Sequence, residues 1–297
     1  MRKTNLILGC IILMAALYGY AQKAQAPKVQ MPMQKDSVKF AVIGDNGTGD
    51  KPEYQIADKL VAAHEQFPFN FVLMMGDNLY GNEGVNDFSK KFEKPYQGLL
   101  ENGVKFYAAL GNHDDPARQI AYEKFNMGGK HYYTFKPKEG VRFFALDSNY
   151  MDKKQLDWLE NELKTSGSAW KIAYFHHPMY SSGETHGSNV ELRGVLEPVM
   201  LKYGVDVVFT GHEHFYEHIK PQQGINYFIV GSSGKLREGN ITKTELTQKG
   251  FDQDNTFLIA EIVGDTMSFQ VIARSGMTVD SGTIQRAEKA RKATTSR

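Results

Sequence analysis

The sequence predicts a layered α/β domain. Three observations carry that expectation. A strand, a helix and a second strand follow one another at 38–43, 50–61 and 71–75, the spacing of a βαβ unit. Five apolar runs end abruptly in polar clusters, which is how open α/β sheets deliver ligand-binding residues at strand carboxyl ends. Two further pairs of apolar runs, 132–135 with 141–146 and 257–262 with 268–273, have the short separations of antiparallel neighbours, so the architecture is mixed.

In chain order, Val38 to Ile43 is an apolar run that stops at Gly44-Asp45-Asn46-Gly47. Asp50 is a helix cap candidate, with Pro52 in the first turn and Ile56, Leu60 and Val61 at helical spacing. Phe71 to Met75 is a buried-strand pattern ending in Gly76-Asp77-Asn78, with Tyr80 three residues after the aspartate. A helical stretch, Asn86 to Glu101, is kinked or divided by Pro95. Val104 to Leu110 is a strand ending in Gly111-Asn112-His113-Asp114, and a short helix is expected over Ala117 to Phe125. Asp152 to Lys164 is amphipathic, with Leu156, Leu159 and Leu163 on one side. Trp170 to Phe175 leads into His176-His177-Pro178, and a loop over Ser181 to Asn189 precedes a helix over Val190 to Leu201. Val205 to Phe209 ends at Gly211-His212-Glu213-His214, and Tyr227 to Val230 ends at Gly231-Ser232-Ser233-Gly234. Lys235 to Gln253 is charged and turn-rich, the composition of a mobile surface excursion.

Lys and Arg number 35 against 34 Asp and Glu, so nothing points to nucleic acid. Arg2 and Lys3 precede the apolar stretch Leu6 to Leu17, and small residues follow at Gly19 and Ala21. This is the pattern of a secretory signal over residues 1–21, cleaved after Ala21. The expected product is exported, whether periplasmic, extracellular or surface-associated, with no transmembrane domain in its mature form. Cys10 is the single cysteine, so cleavage leaves no thiol for disulfides or metal binding. Residues 22–36 have the Gln, Lys, Pro and Ala content of a flexible segment, 37–280 form one domain, and 281–297 are too polar to pack and are expected to fray.

The residues at the strand ends have the chemistry of a metal centre. Asp45 and Asp77 offer carboxylates, His176, His212 and His214 imidazoles, Asn112 an amide oxygen, and Tyr80 a phenolate when a Lewis acid lowers its pKa. This set suits Fe, Zn, Mn or Co and is too rich in histidine for calcium. It also exceeds what one tetrahedral zinc needs, so two neighbouring metals sharing a carboxylate account for it better. His177 is expected to leave the strand end in a different direction from His176.

In this order the motifs resemble those of the calcineurin-like metallophosphoesterases, and within them the small single-domain purple acid phosphatases. Many members of that superfamily place a histidine two residues after the first aspartate; here that position is Gly47, and Tyr80 stands after Gly76-Asp77-Asn78-Leu79 instead. The resemblance implies a four-layer α-β-β-α sandwich of mixed sheets with the dimetal site at the strand carboxyl ends. It implies Fe(III) held by Asp45, Tyr80 and His214, and a second divalent ion (Fe, Zn or Mn) held by Asn112, His176 and His212. Asp77 would bridge the two, and an all-divalent pair is the alternative. A metal-bound hydroxide would attack the phosphorus of a small phosphate monoester, making the chain an exported, monomeric acid phosphatase. His113 and His186 would contact the ester or protonate its leaving group, with Glu184 a second choice in the His186 loop, and Asp114 would orient His113 or a backbone turn. Two other readings stay open: a phosphodiesterase or nucleotidase with two divalent metals, and a noncatalytic surface or binding protein on the same scaffold.

Overall fold

Parallel pairing of β1 (Val38–Ile43), β2 (Phe71–Met74) and β3 (Lys105–Ala108) brings three of the polar clusters together, because the register sets Ile43 beside Met74 and Met74 beside Ala108. The computed structural model describes residues 26–286. The signal-sequence expectation for 1–21 therefore falls outside the described residues. Helix α1 (Lys51–Gln66) joins β1 to β2. Antiparallel β11 (Thr256–Val263), β12 (Thr266–Ala273) and β13 (Thr278–Gln285) extend this sheet beyond β1, giving the order β13-β12-β11-β1-β2-β3.

The second sheet repeats the device. Parallel β5 (Val141–Ala145), β6 (Trp170–Tyr174), β7 (Val207–Thr210) and β9 (Ile225–Val230) form its centre. Antiparallel β4 (Tyr133–Lys138) closes one side, and β8 (Tyr216–Gln222) and β10 (Thr247–Phe251) close the other.

The sheets pack face to face on aromatic side chains. Phe40 of β1 lies 5.2 Å from Phe143 of β5 and 6.1 Å from Phe209 of β7, ring centre to ring centre. The next residues along the second sheet, Phe144 and Val208, turn outward into a second core with Leu159 and Leu163 of α5 (Lys153–Lys164) and Leu192 and Leu196 of α6 (Val190–Tyr203). Ile56, Leu60 and Ala63 of α1 pack with the first sheet. Burial on both faces explains why the central strands are continuous apolar runs rather than alternating ones. The result is the expected α-β-β-α layering of two mixed sheets.

Several local expectations change. The stretch 86–101 is divided into α2 (Val85–Phe88), a π-helical turn at Ser89–Glu93 and α3 (Gln97–Glu101), with Pro95 in the break. The helix expected over 117–125 is two short pieces, α4 (Pro116–Gln119) and a 3-10 turn at Glu123–Phe125. The excursion at 235–253 contains an edge strand, β10, held by pairing with β8. The frayed tail was expected from 281, but β13 continues to Gln285 along β12. Residues 26–36 of the supposedly flexible lead-in are tied down. The Gln30 N–H donates to Gln270 Oε1 (2.8 Å), those of Met33 and Gln34 donate to the buried Glu261 carboxylate (2.8 and 2.7 Å), and Val29 and Met31 pack on the core.

Candidate metal centre

Within each sheet the strand ends are tied to one another by main-chain bonds. The Asp45 N–H donates to the Gly76 carbonyl (3.1 Å), and that of Gly211 donates to the His176 carbonyl (3.0 Å). Three of the polar residues there are forced into left-handed backbone: Asp45 (φ 52°), Asp77 (φ 51°) and His212 (φ 69°). Such conformations are uncommon outside glycine and persist where the surroundings over-determine them, often at functional sites. Gly111 makes room for one of these residues, since a Cβ there would stand 2.2 Å from Asp77 Oδ1.

The side chains converge in two overlapping groups. Donor atoms of Asp45, Asp77 and His214 lie within 4.8 Å of one another. The Tyr80 hydroxyl donates to Asp45 Oδ1 (3.1 Å) and lies 3.2 Å from His214 Nε2. In the second group His176 Nε2 lies 3.0 Å from Asn112 Oδ1 and 3.1 Å from His212 Nδ1. Asp77 Oδ1 is 3.4 Å from the same His176 nitrogen, so this carboxylate reaches from the first group to the second. His176 Nδ1 lies 2.9 Å from the Met75 carbonyl, which fixes the ring and leaves Nε2 for the centre. The His212 N–H donates to Asp45 Oδ2 (2.8 Å) and the His113 N–H to Asp77 Oδ1 (3.0 Å).

The electrostatics are those of a site built around cations. Asp45 and Asp77 are buried and side by side, and among the described residues neither pairs with a lysine or arginine. Burial, then the neighbouring Asp77, push the Asp45 carboxyl well above its usual range. Burial and the two carboxylates likewise drive the Tyr80 phenol upward. Burial pushes His212 down to about 2 and His214 down to about 4, the latter with help from Arg237. The imidazoles are held in their neutral, ligating form, and the carboxyls and phenol are crowded together without the positive charge that a pair of metal ions would supply, so the residues fit such a pair.

The other sequence candidates flank this centre. The His113 ring lies 5.0 Å from the Tyr80 ring, and the His186 ring lies 4.1 Å from that of His212. Asp114 is buried. Its carboxylate accepts from the peptide N–H groups of Gly111 (2.7 Å) and Leu79 (3.1 Å) and from the amides of Gln119 and Asn78. Of the two roles expected for it, these bonds match the backbone one. Glu184 accepts from the Thr242 hydroxyl, on the excursion.

Two residues at the centre were not read from the sequence. His177 does not turn away: its ring lies 4.5 Å from that of His212, and one nitrogen each of His176, His177 and His212 lie within 4.8 Å. β6 ends at Tyr174, so strand alternation no longer governs the residues that follow it. Glu213, buried between two candidate ligands, accepts from the N–H groups of His186 (3.2 Å) and Gly187 (2.7 Å) and so carries that loop to the site. Its place inside Gly211-His212-Glu213-His214 was the available signal.

Gly47 explains the missing histidine. A Cβ there would stand 1.8 Å from the Asn78 carbonyl oxygen, so no side chain fits between the two ligand loops.

Comparison with known proteins agrees with this geometry. The sequence model of the calcineurin-like phosphoesterase family matches residues 38–216. The chain is 28% identical to purple acid phosphatase 17 of Arabidopsis thaliana, with 73% of this chain and 75% of that protein covered. It is 24% identical to tartrate-resistant acid phosphatase type 5 of Rattus norvegicus, with 84% of this chain and 91% of that one covered. Among solved structures, a purple acid phosphatase from yellow lupin superposes with a TM-score of 0.70 at 19% identity, covering 87% of this chain and 55% of the lupin chain. A protein described as the anchor in the inner membrane complex of Plasmodium superposes with a TM-score of 0.76, also at 19% identity, covering 86% of this chain and 90% of the other. At such identities the likeness establishes the fold alone.

Proposed function

The chain belongs to the calcineurin-like phosphoesterase family, and from that premise we propose that it is an exported dimetal acid phosphatase acting on phosphate monoesters. It is a metal-dependent phosphoric ester hydrolase, as the acid phosphatases related to it are. The observation that carries the reading is the overlap of the two ligand groups on Asp77. A scaffold used for anchoring has no need to bury two facing carboxylates without a counter-cation.

In this reading Asp45, Tyr80 and His214 would hold Fe(III), because a hard ion prefers anionic oxygen. Asn112, His176 and His212 would hold a divalent ion, with Asp77 shared between the two positions. When bound, the metal pair supplies an activated water and neutralises the phosphoryl oxygens. The chain's own residues do the rest. His113, beside Tyr80, is placed to hydrogen-bond the ester and give a proton to the departing alkoxide oxygen. His186, over His212, contacts the phosphoryl group from the other side. The Met75 carbonyl and the Asp114 turn keep His176 and the Asn112 loop in register. Export rests on the charge–apolar–small pattern of the first 21 residues, and no helix among the described residues is long and apolar enough to cross a membrane.

The test is turnover by the purified, iron-loaded protein of an aryl phosphate monoester and the corresponding diester between acidic and neutral pH. The reading predicts monoester turnover and a visible tyrosinate-to-iron band that disappears in Tyr80→Phe. A folded, fully metallated protein that leaves the monoester intact would sink it.

A further inference from the structure

The loop after β9 brings two cations, Lys235 and Arg237, to the edge of the centre. Its backbone is registered on the candidate ligands themselves. The Lys235 N–H donates to the Asp45 carbonyl (3.0 Å), and the Arg237 N–H to the His214 carbonyl (2.9 Å). The buried Asn255 amide donates to the carbonyls of Gly234 (3.2 Å) and Lys235 (3.1 Å) from behind. The backbone that carries both cations is therefore set relative to the metal site rather than to the solvent.

The two side chains have different surroundings. Arg237 Nη1 lies 3.5 Å from the buried carboxylate of Glu213, so its charge is compensated. Lys235 Nζ stands over the Tyr80 ring, 4.7 Å from its centre, and has no ion-pair partner among the described residues. The His113 ring borders the same tyrosine. Once a metal pair is held, its positive charge exceeds the negative charge of Asp45, Asp77 and Tyr80, and a nearby ammonium is repelled. An anion placed between them reverses that sign.

We propose that Lys235 determines specificity by binding a second anionic group of the substrate, so that the site favours organic diphosphates, with the second phosphate adjacent to the one removed. This rests on the phosphatase reading and deepens it. In the reaction, water oxygen bonds to the terminal phosphorus, and the bond from that phosphorus to the bridging oxygen breaks. The bridging oxygen keeps the electron pair and leaves with the second phosphate, and the water proton is passed to it or to solvent. The products are inorganic phosphate and the organic monophosphate. Lys235 stabilises the leaving phosphate, and His113 stands next to the oxygen that departs.

The experiment has a binding arm and a kinetic arm on the metal-loaded full-length mature protein. Calorimetric titration should show pyrophosphate binding at least roughly tenfold tighter than inorganic phosphate, the scale of one hydrogen bond to a charged group. Lys235→Gln should remove most of that ratio, and Lys235→Arg should retain it. In turnover, the ratio of kcat/KM for an organic diphosphate to that for an aryl monophosphate should fall about tenfold in Lys235→Gln. An unchanged ratio overturns the proposal. So does an equal loss for both ligands, which would put Lys235 on the reacting phosphoryl group, or a ratio that responds to Arg237→Gln alone. Titration needs no turnover, so pyrophosphate discrimination in a protein that hydrolyses nothing would refute the phosphatase reading and leave the anion site standing.

Discussion

Replacing Asp114 by alanine separates a structural carboxylate from a catalytic one. The carboxylate accepts four hydrogen bonds, but they are not equal in what their loss would leave behind. The Asn78 amide keeps the Ala109 carbonyl (2.7 Å) and Gln119 Oε1 (3.0 Å), and the Gln119 amide keeps Glu83 Oε1 (2.9 Å). The peptide N–H groups of Gly111 and Leu79 donate to Asp114 and would be stranded. A stranded buried donor costs about 1–3 kcal/mol, so the two together predict a loss of about 3 kcal/mol. With an m-value of about 2.5 kcal/mol per molar urea, the unfolding midpoint falls by about 1.2 M. The assay is urea unfolding of the metal-free protein, which removes the linkage of metal binding to stability. Turnover should fall as well, because the turn carries Asn112. A midpoint shift below about 0.3 M with turnover abolished would refute the reasoning and return Asp114 to a direct role beside His113.

Two further perturbations test the packing and the charge network. Gly47→Ala forces a Cβ to within 1.8 Å of the Asn78 carbonyl oxygen. It should cost about 3 kcal/mol, seen as a fall in Tm of roughly 6–12 °C in thermal denaturation; an unchanged Tm would show that the two ligand loops separate freely. Asp280, on β13, accepts from the Tyr216 hydroxyl (2.7 Å) and lies 3.2 Å from His218 Nδ1, both on β8, so it bridges the two sheets. Burial raises its carboxyl, but the bonds from His218 and Tyr216 outweigh burial and hold it below the usual range. A depressed carboxylate stabilises the fold fully above about pH 4 and loses that contribution as pH falls through the lower folded value. Asp280→Asn should therefore lower stability at pH 7 by about 1 kcal/mol and flatten the decline below about pH 4 in pH-dependent denaturation, whereas an undiminished acid slope would contradict the assignment.

The residues that converge at the centre were legible because each closes an apolar run buried on both faces. β1 ends where its run ends, β2 and β6 end one residue earlier, and the side chains beyond them meet. What the sequence hid depends on distant partners. β8 contains Glu217, His218 and Lys220 and does not look like a buried strand; Glu217 is buried because the Ser182 N–H (2.9 Å) and the Thr247 hydroxyl (2.6 Å) bond to it. β10 and β13 are polar edge strands, defined by the neighbours they pair with. The lead-in is ordered by Glu261 and Gln270, more than 200 residues away. His177 was misread because strand alternation was carried past the end of β6.

The central claim is that one carboxylate, Asp77, joins two metal positions. Metal analysis of the purified protein after loading with excess iron and zinc tests it most directly, alongside the same analysis of Asp77→Asn. The account predicts two ions per chain, one of them iron with a visible band, and a marked loss of both ions in Asp77→Asn. A chain that holds at most one ion, or a variant that still holds two, would contradict it.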